Sequence, residues 1–181
     1  MRTRLYIVRG FTVIEMLIAL GIIALLFKLA VPTFRTWLQN TQIRNTAHSI
    51  ADGMNAARGE AITRNAQVQI QLTSQGDGTQ PGWQIALVSA PTVSIQQWSS
   101  AEGASSTQIV QAGGGILTFN SLGRVVAPNP IDASAPLLQV DVTSSNDAGD
   151  LALRNLRVVV GNGGMARMCD PALGQPDPRA C

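Results

Sequence analysis

The sequence predicts an α+β protein: one long N-terminal helix followed by a domain of antiparallel β-structure. Three observations carry that expectation. From Phe11 to Val31 nearly every residue is apolar or small, and a helix over this run would be roughly 30 Å long, about one bilayer core. From Ile43 to Ile62 apolar residues recur at threes and fours, which makes one stripe along a helix. After Asn65 the period falls to two, the signature of half-buried strands.

The chain opens with Arg2, Arg4 and Arg9 and no acidic residue before the apolar run. Such a segment stays on the cytoplasmic side of a membrane. Glu15 sits near the start of the run, where an unpaired carboxylate in lipid costs at least about 3 kcal/mol, so a partner for it is expected. An ordinary secretory signal peptide would be cut after the apolar run, at small residues. Ala30-Val31-Pro32 is a poor match and helical patterning continues past it, so the run is expected to remain in the mature chain. Pro32 removes a backbone donor and predicts a kink.

The helix then resumes as an amphipathic one. Ile43, Ala47, Ile50, Ala51, Met54, Ala57, Ala61 and Ile62 form the stripe, with Arg44, Asn45, Asp52, Arg58, Glu60 and Arg64 opposite. One helix from about Thr12 to Asn65 follows, and its second half must pack on a sheet. Gly53 and Gly59 each weaken it by up to about 1 kcal/mol. Arg58 and Glu60 read as solvated helix charges.

Val68, Ile70 and Leu72 alternate with glutamines, and Trp83 to Val88 reads as the hairpin partner across a break at Gly76-Asp77-Gly78. Residues 89–115 read as a long excursion with one strand near Ile109. Gly113-Gly114-Gly115 is a flexible turn rather than a phosphate cradle, because no Lys-Ser/Thr or helix follows it. Ile116 to Val126 predicts strand, turn and strand with Gly123 at the turn. Leu137 to Val142 alternates, 146–149 is a turn, and Asn155 to Val160 gives the last strong strand. Gly161 to Gly164 then turns into a short terminal strand over Met165 to Cys169.

The 181 residues carry a net charge of +2. The first ten hold three arginines, leaving 10 basic against 11 acidic residues beyond them. So near-neutral a domain cannot capture nucleic acid by bulk charge and would need a local patch. Cys169 and Cys181 are the only cysteines. Outside the cytoplasm they are expected to be oxidised, closing a short loop for about 3 kcal/mol; the alternative is two free thiols in a frayed tail. The single histidine, His48, excludes a histidine-rich zinc site, and Asp52 and Glu60 lie eight apart on one helix, with nothing in the sequence to predict a shared cleft. No catalytic constellation, metal or cofactor is expected, and the chain reads as a non-enzyme.

The string Arg9-Gly10-Phe11-Thr12-Val13-Ile14-Glu15-Met16-Leu17-Ile18 resembles the prepilin leader junction of type IV pilins and type II secretion pseudopilins. The resemblance implies a prepilin peptidase that cuts after Gly10 and methylates the new N-terminal Phe11. It gives Glu15 its partner, the α-amino group of a neighbouring subunit. Ala57-Arg58-Gly59-Glu60-Ala61-Ile62-Thr63-Arg64-Asn65 and Ile116 to Gly123 are similar to elements of the GspH/FimT family of minor pilins and pseudopilins. The implied fold is type IV pilin-like. The implied layout is a cleaved leader at 1–10, a transmembrane and assembly helix at 11–31, an amphipathic helix at 32–66, and a periplasmic or extracellular β-rich domain at 67–181. The chain would sit in a bacterial inner membrane and then join a pilus or pseudopilus with other subunits, helping to initiate or cap assembly. Two alternatives accompany that reading: a secretion pseudopilin, and a DNA receptor for uptake. For the latter, Gly164-Met165-Ala166-Arg167-Met168-Cys169 is similar to a Gly-Arg-x-Arg motif, with methionine in place of its first arginine. Arg154, Arg157 and Arg179 are candidates to join Arg167 in a phosphate-contacting patch.

Overall fold

The protein is described by a computed structural model covering residues 11–73, 81–100, 107–112, 114–144 and 152–181, with backbone only for 29–33, 108, 111 and 112. Its first element is α1 (Val13–Arg64), one helix of 52 residues. Residues up to Trp37 and residues from Leu38 onward form separate compact units. The kink expected at Pro32 falls within 29–33, outside the described side chains.

In the first unit the large apolar side chains of α1 point outward on every side. Those from Phe11 to Trp37 whose side chains are described are between 47% and 82% exposed. Phe34 and Trp37 pack ring against ring at 5.7 Å. Among the described residues no helix is long and apolar enough to cross a membrane.

In the second unit the stripe expected from the sequence is the core. Ile43, Ala47, Ile50, Ala51, Met54, Ala57 and Ala61 are all buried, whereas Ile62 is exposed. At 100° per residue Ile62 falls one step off the line that ends at Ala61. The helix stops in a Schellman cap: Ala66 N–H donates to Ala61 O and Asn65 N–H to Ile62 O, both at 3.2 Å. Asn65 has φ 48° there, the left-handed conformation that asparagine tolerates. The chain can therefore reverse within three residues into the first strand.

The strands are β1 (Val68–Leu72), β2 (Gly82–Leu87), β3 (Ala90–Ser99), β4 (Thr107–Ala112), β5 (Ile116–Phe119), β6 (Gln139–Ser144), β7 (Leu156–Val160) and β8 (Ala166–Cys169). They form two antiparallel four-stranded sheets, ordered β3-β2-β1-β5 and β4-β6-β7-β8. The single sheet expected from the sequence is thus two, and both contribute to the core under α1. Val68, Ile70, Ile85, Leu117 and Phe119 come from the first, and Ile109, Val140, Val142 and Val158 from the second.

The expected hairpin of β1 and β2 forms, and its register sets Ile70 opposite Ile85. The excursion read over 89–115 instead contains β3, a ten-residue edge strand. Most of its side chains are exposed, so no buried face imposes an alternating pattern on its sequence. Beyond Gly123 the expected strand shrinks to one bridge between Phe119 and Val125. The turns expected at 76–78 and 146–149 lie outside the described residues, as does Gly113.

Candidate functional site

Four places carry the residues singled out by the sequence: the start of α1, its end, the outer face of the second sheet, and the C-terminal tail. Gly10 lies outside the described residues. Phe11 is exposed, and the helix begins in a capping box just beyond it. Glu15 N–H donates to Thr12 Oγ1 at 3.3 Å, and Thr12 N–H donates to Glu15 Oε2 at 3.4 Å. These two bonds satisfy backbone donors that a helix start leaves without intrahelical partners. They also turn the Glu15 carboxylate back to within one residue of Phe11. The Thr-x-x-Glu spacing is readable in the sequence, and the capping role of Thr12 was not drawn from it.

At the far end, Arg58 is not the solvated charge that its place on the helix predicts. It is half-buried and its Nε–H donates to the Gly123 carbonyl at 3.0 Å. Gly123 has φ 71°, and a Cβ there would lie 2.8 Å from Ile62 Cδ1. Glu60 instead pairs with Arg64 one turn on, at 2.6 Å, a partly exposed pair of small energetic consequence. Two asparagines pin the helix to the second sheet and its loops. Asn55 Nδ2 donates to Ala166 O at 3.1 Å while its Oδ1 accepts Ala166 N–H at 3.0 Å. Asn40 does the same with Ala152 O and Arg154 N–H. Each side-chain amide mimics a neighbouring strand. The signal available in the sequence was two amides inside a helix, where their propensity is poor.

The four candidate arginines divide. Arg157 on β7 donates to both carboxylate oxygens of Asp141 on β6, at 2.5 and 3.0 Å, and this bonding pushes its pKa up. Arg179 grips Asp177 in the same two-pronged way, through Nε at 3.1 Å and a terminal nitrogen at 2.9 Å. That pairing draws the Asp177 pKa down to about 2. Arg154 and Arg167 are exposed, and among the described residues neither side chain has a carboxylate partner. The register places Arg157 opposite Cys169 and Arg167 opposite Val159, so Arg157 and Arg167 share the outer face of the sheet. Two of the four cations are therefore neutralised locally.

Cys169 and Cys181 are disulfide-bonded, with Cα atoms 5.1 Å apart. The tail they close is held further by Asp170 N–H donating to Arg179 O at 2.8 Å. Beside the helix lies an open depression of about 540 Å³ lined by Asn45, His48, Asp52, Trp83 and Gln96 among others. Trp83 Nε1–H donates to Ser49 Oγ at 3.1 Å. Gly53 is buried there, and a Cβ on it would sit 2.7 Å from the indole. Glu60 is not among the residues lining this depression, and among the described residues no group of His, Cys, Asp and Glu side chains could hold a metal.

Comparison with known proteins gives a family and a fold. The family model described as Type II transport protein GspH matches residues 46–164. Pilin-like protein PilA1 of Thermus thermophilus is 39% identical over 70 residues, or 39% of this chain. The match spans 44% of that relative's length. In three dimensions the chain is similar to the type IV minor pilin FimU of Pseudomonas aeruginosa. The TM-score is 0.53 at 13% identity, covering 77% of this chain and 97% of that one. A second crystal form of FimU gives 0.50 over 73% and 97%. At this identity the likeness shows the fold alone.

Proposed function

This chain belongs to the GspH family of type II transport proteins, and from its likeness to the pilin-like protein PilA1 and to the minor pilin FimU we propose that it is a minor subunit of a type IV pilus. The family and the fold are those of structural pilin and pseudopilin subunits, not of enzymes. In the proposed cycle a prepilin peptidase cuts after Gly10 and methylates Phe11. The subunit waits in the inner membrane through residues 11–31 and then enters the filament among other pilins, helping to initiate or cap it.

The observation that carries this reading is the exposure of apolar side chains on every side of α1 before Leu38. A helix apolar all round is stable only in an apolar surrounding, lipid or sister helices. Glu15 fits the same cycle. Its carboxylate is aimed towards the N-terminus, where the ammonium of a neighbouring Phe11 would meet it in a medium that strengthens the attraction. Glu15→Ala is expected to insert and be processed normally yet be depleted from sheared filaments by about tenfold or more. Unchanged incorporation would remove Glu15 from the assembly step.

Two other readings keep specific support. The family description favours a pseudopilin of type II secretion, and a deletion strain losing exoprotein secretion but keeping twitching would select it. The exposed Arg154 and Arg167, without carboxylate partners among the described residues, support DNA contact. That reading predicts weak binding by the chain with a steep salt dependence, weakened further in Arg167→Gln. A low-salt titration without binding ends it.

A further inference from the structure

The first sheet ends in β3, and among the described residues no strand lies beyond it. Edge strands are ordinarily guarded by charge, proline or an irregular register. Pro91 and a register shift opposite Ile85 and Ala86 guard the first part of β3. From Gln96 to Ser99 the pairing is regular and the residues carry no charge. Ser100 N–H donates to Pro81 O at 2.8 Å, and the direction of the backbone groups alternates along an antiparallel ladder. Trp98 is thus bonded to Trp83, its partner in the register, while Gln97 turns its N–H and C=O to the open side.

The open depression beside α1 lies at this same edge. Trp83 stands opposite Trp98 and Ile85 opposite Gln96, and directly paired residues share a face of the sheet. Trp83 and Ile85 belong to the core with the α1 stripe, so Gln96 faces the helix side too. It is nevertheless exposed, which means that the cover given by α1 stops short of β3. The uncovered angle is the depression of about 540 Å³, where Trp83 and Ala56 supply apolar surface. Asn45, His48 and Asp52 line it from the helix, all three exposed. Asp52 is the one fixed charge among its lining residues. A strand laid along the open side of Gln97 would point alternate side chains into this space.

We propose that the edge from Gln96 to Ser99 receives an extended, basic segment of another protein as a fifth strand of the first sheet. The backbone of that segment bonds to the outward N–H and C=O of Gln97. One apolar side chain enters the depression against Trp83, and a basic side chain two residues along meets Asp52. In strand addition the main-chain bonds supply affinity, and pockets for alternate side chains supply specificity. The charge of Asp52 selects the occupant: β3 of a second copy has no cation to offer it. The site uses none of the residues 11–31 on which filament entry rests, so it stands or falls apart from that reading.

The test uses the full chain in detergent with its disulfide intact, and a capped threonine peptide of about eight residues as probe. The probe carries one leucine and, two residues on, one lysine. It is expected to bind and to slow hydrogen exchange at the Gln97 amide, which strand addition converts from open to bonded. Two further probes are methylated on alternate backbone nitrogens, one set for each edge of the added strand. One of these should bind about tenfold more weakly and the other like the parent, because a single edge faces β3. Asp52→Lys should weaken the lysine probe by about tenfold and favour one with glutamate in its place, which separates lost docking from lost folding. The proposal is overturned by an absence of binding at about 1 mM probe. Equal binding of the two methylated probes, or indifference to Asp52→Lys, would overturn it as well. Self-association of the chain that Gln97→Pro abolishes would give the edge to a second copy and overturn it too.

Discussion

Residues 13–28 and 43–61 of α1 share one backbone conformation, yet the first set exposes apolar side chains all round while the second hides them along one side. The backbone bonds are equivalent, so the helix itself explains neither pattern. What differs is the solvent each set is written for. The second carries its own solvent, two sheets whose valines, isoleucines and Phe119 cover the stripe. The first carries none, and an apolar environment has to come from elsewhere. Distribution of apolar residues around a helix thus reports its surroundings, where propensity reports only that it is a helix.

Matched substitutions break this comparison most sharply. Ile50→Asp places an unpaired carboxylate in a closed core and is expected to cost about 3 kcal/mol or more. Thermal unfolding of the chain in detergent should show the drop. Ile18→Asp should leave that midpoint in place and instead lower the membrane-inserted fraction, since a mid-run charge costs a few kcal/mol in lipid. Equal effects of the two on domain stability would mean that the first half is packed like the second.

The glycines of α1 sharpen it within the buried half. Gly53 faces Trp83 at a distance no Cβ can share, whereas nothing lies within 4 Å of a Cβ at Gly59. Gly53→Ala is expected to destabilise by about 1–3 kcal/mol, and Gly59→Ala to stabilise by up to about 1 kcal/mol. Denaturant midpoints distinguish the signs. The smallest effect belongs to the tail. The Asp177 pKa is lowered from 3.8 to about 2 by Arg179, so its contribution is complete above the ordinary carboxylate pKa and is lost as pH falls through about 2. The carboxyl resonance of Asp177, followed by NMR, should titrate near the lower value. Titration near 3.8 would show that the pair does not form.

Legibility followed sequence distance. The stripe from Ile43 to Ala61, the hairpin from Val68 to Leu87 and the end of the helix at Asn65 are local patterns, and each stands where the sequence places it. The strand β3 was missed because an edge with both faces largely exposed has no period to display. The split into two sheets was missed because strand order is set by pairings between distant segments. Arg58 was misread for the same reason: its partner is the carbonyl of Gly123, 65 residues away. Asn129 gave no signal because its bonds close a loop whose shape only the fold defines. At the arginines, the sequence supplied the cations, and the register of β6 against β7 supplied the carboxylate that neutralises one of them.

The most direct measurement is the intact mass of this chain recovered from sheared filaments. The account predicts a polypeptide that begins at Phe11 and carries one added methyl group, and a precursor retained in the membrane when Gly10 is replaced by valine. A filament-borne chain still carrying residues 1–10, or a Gly10→Val variant processed to the same mature mass, would contradict it.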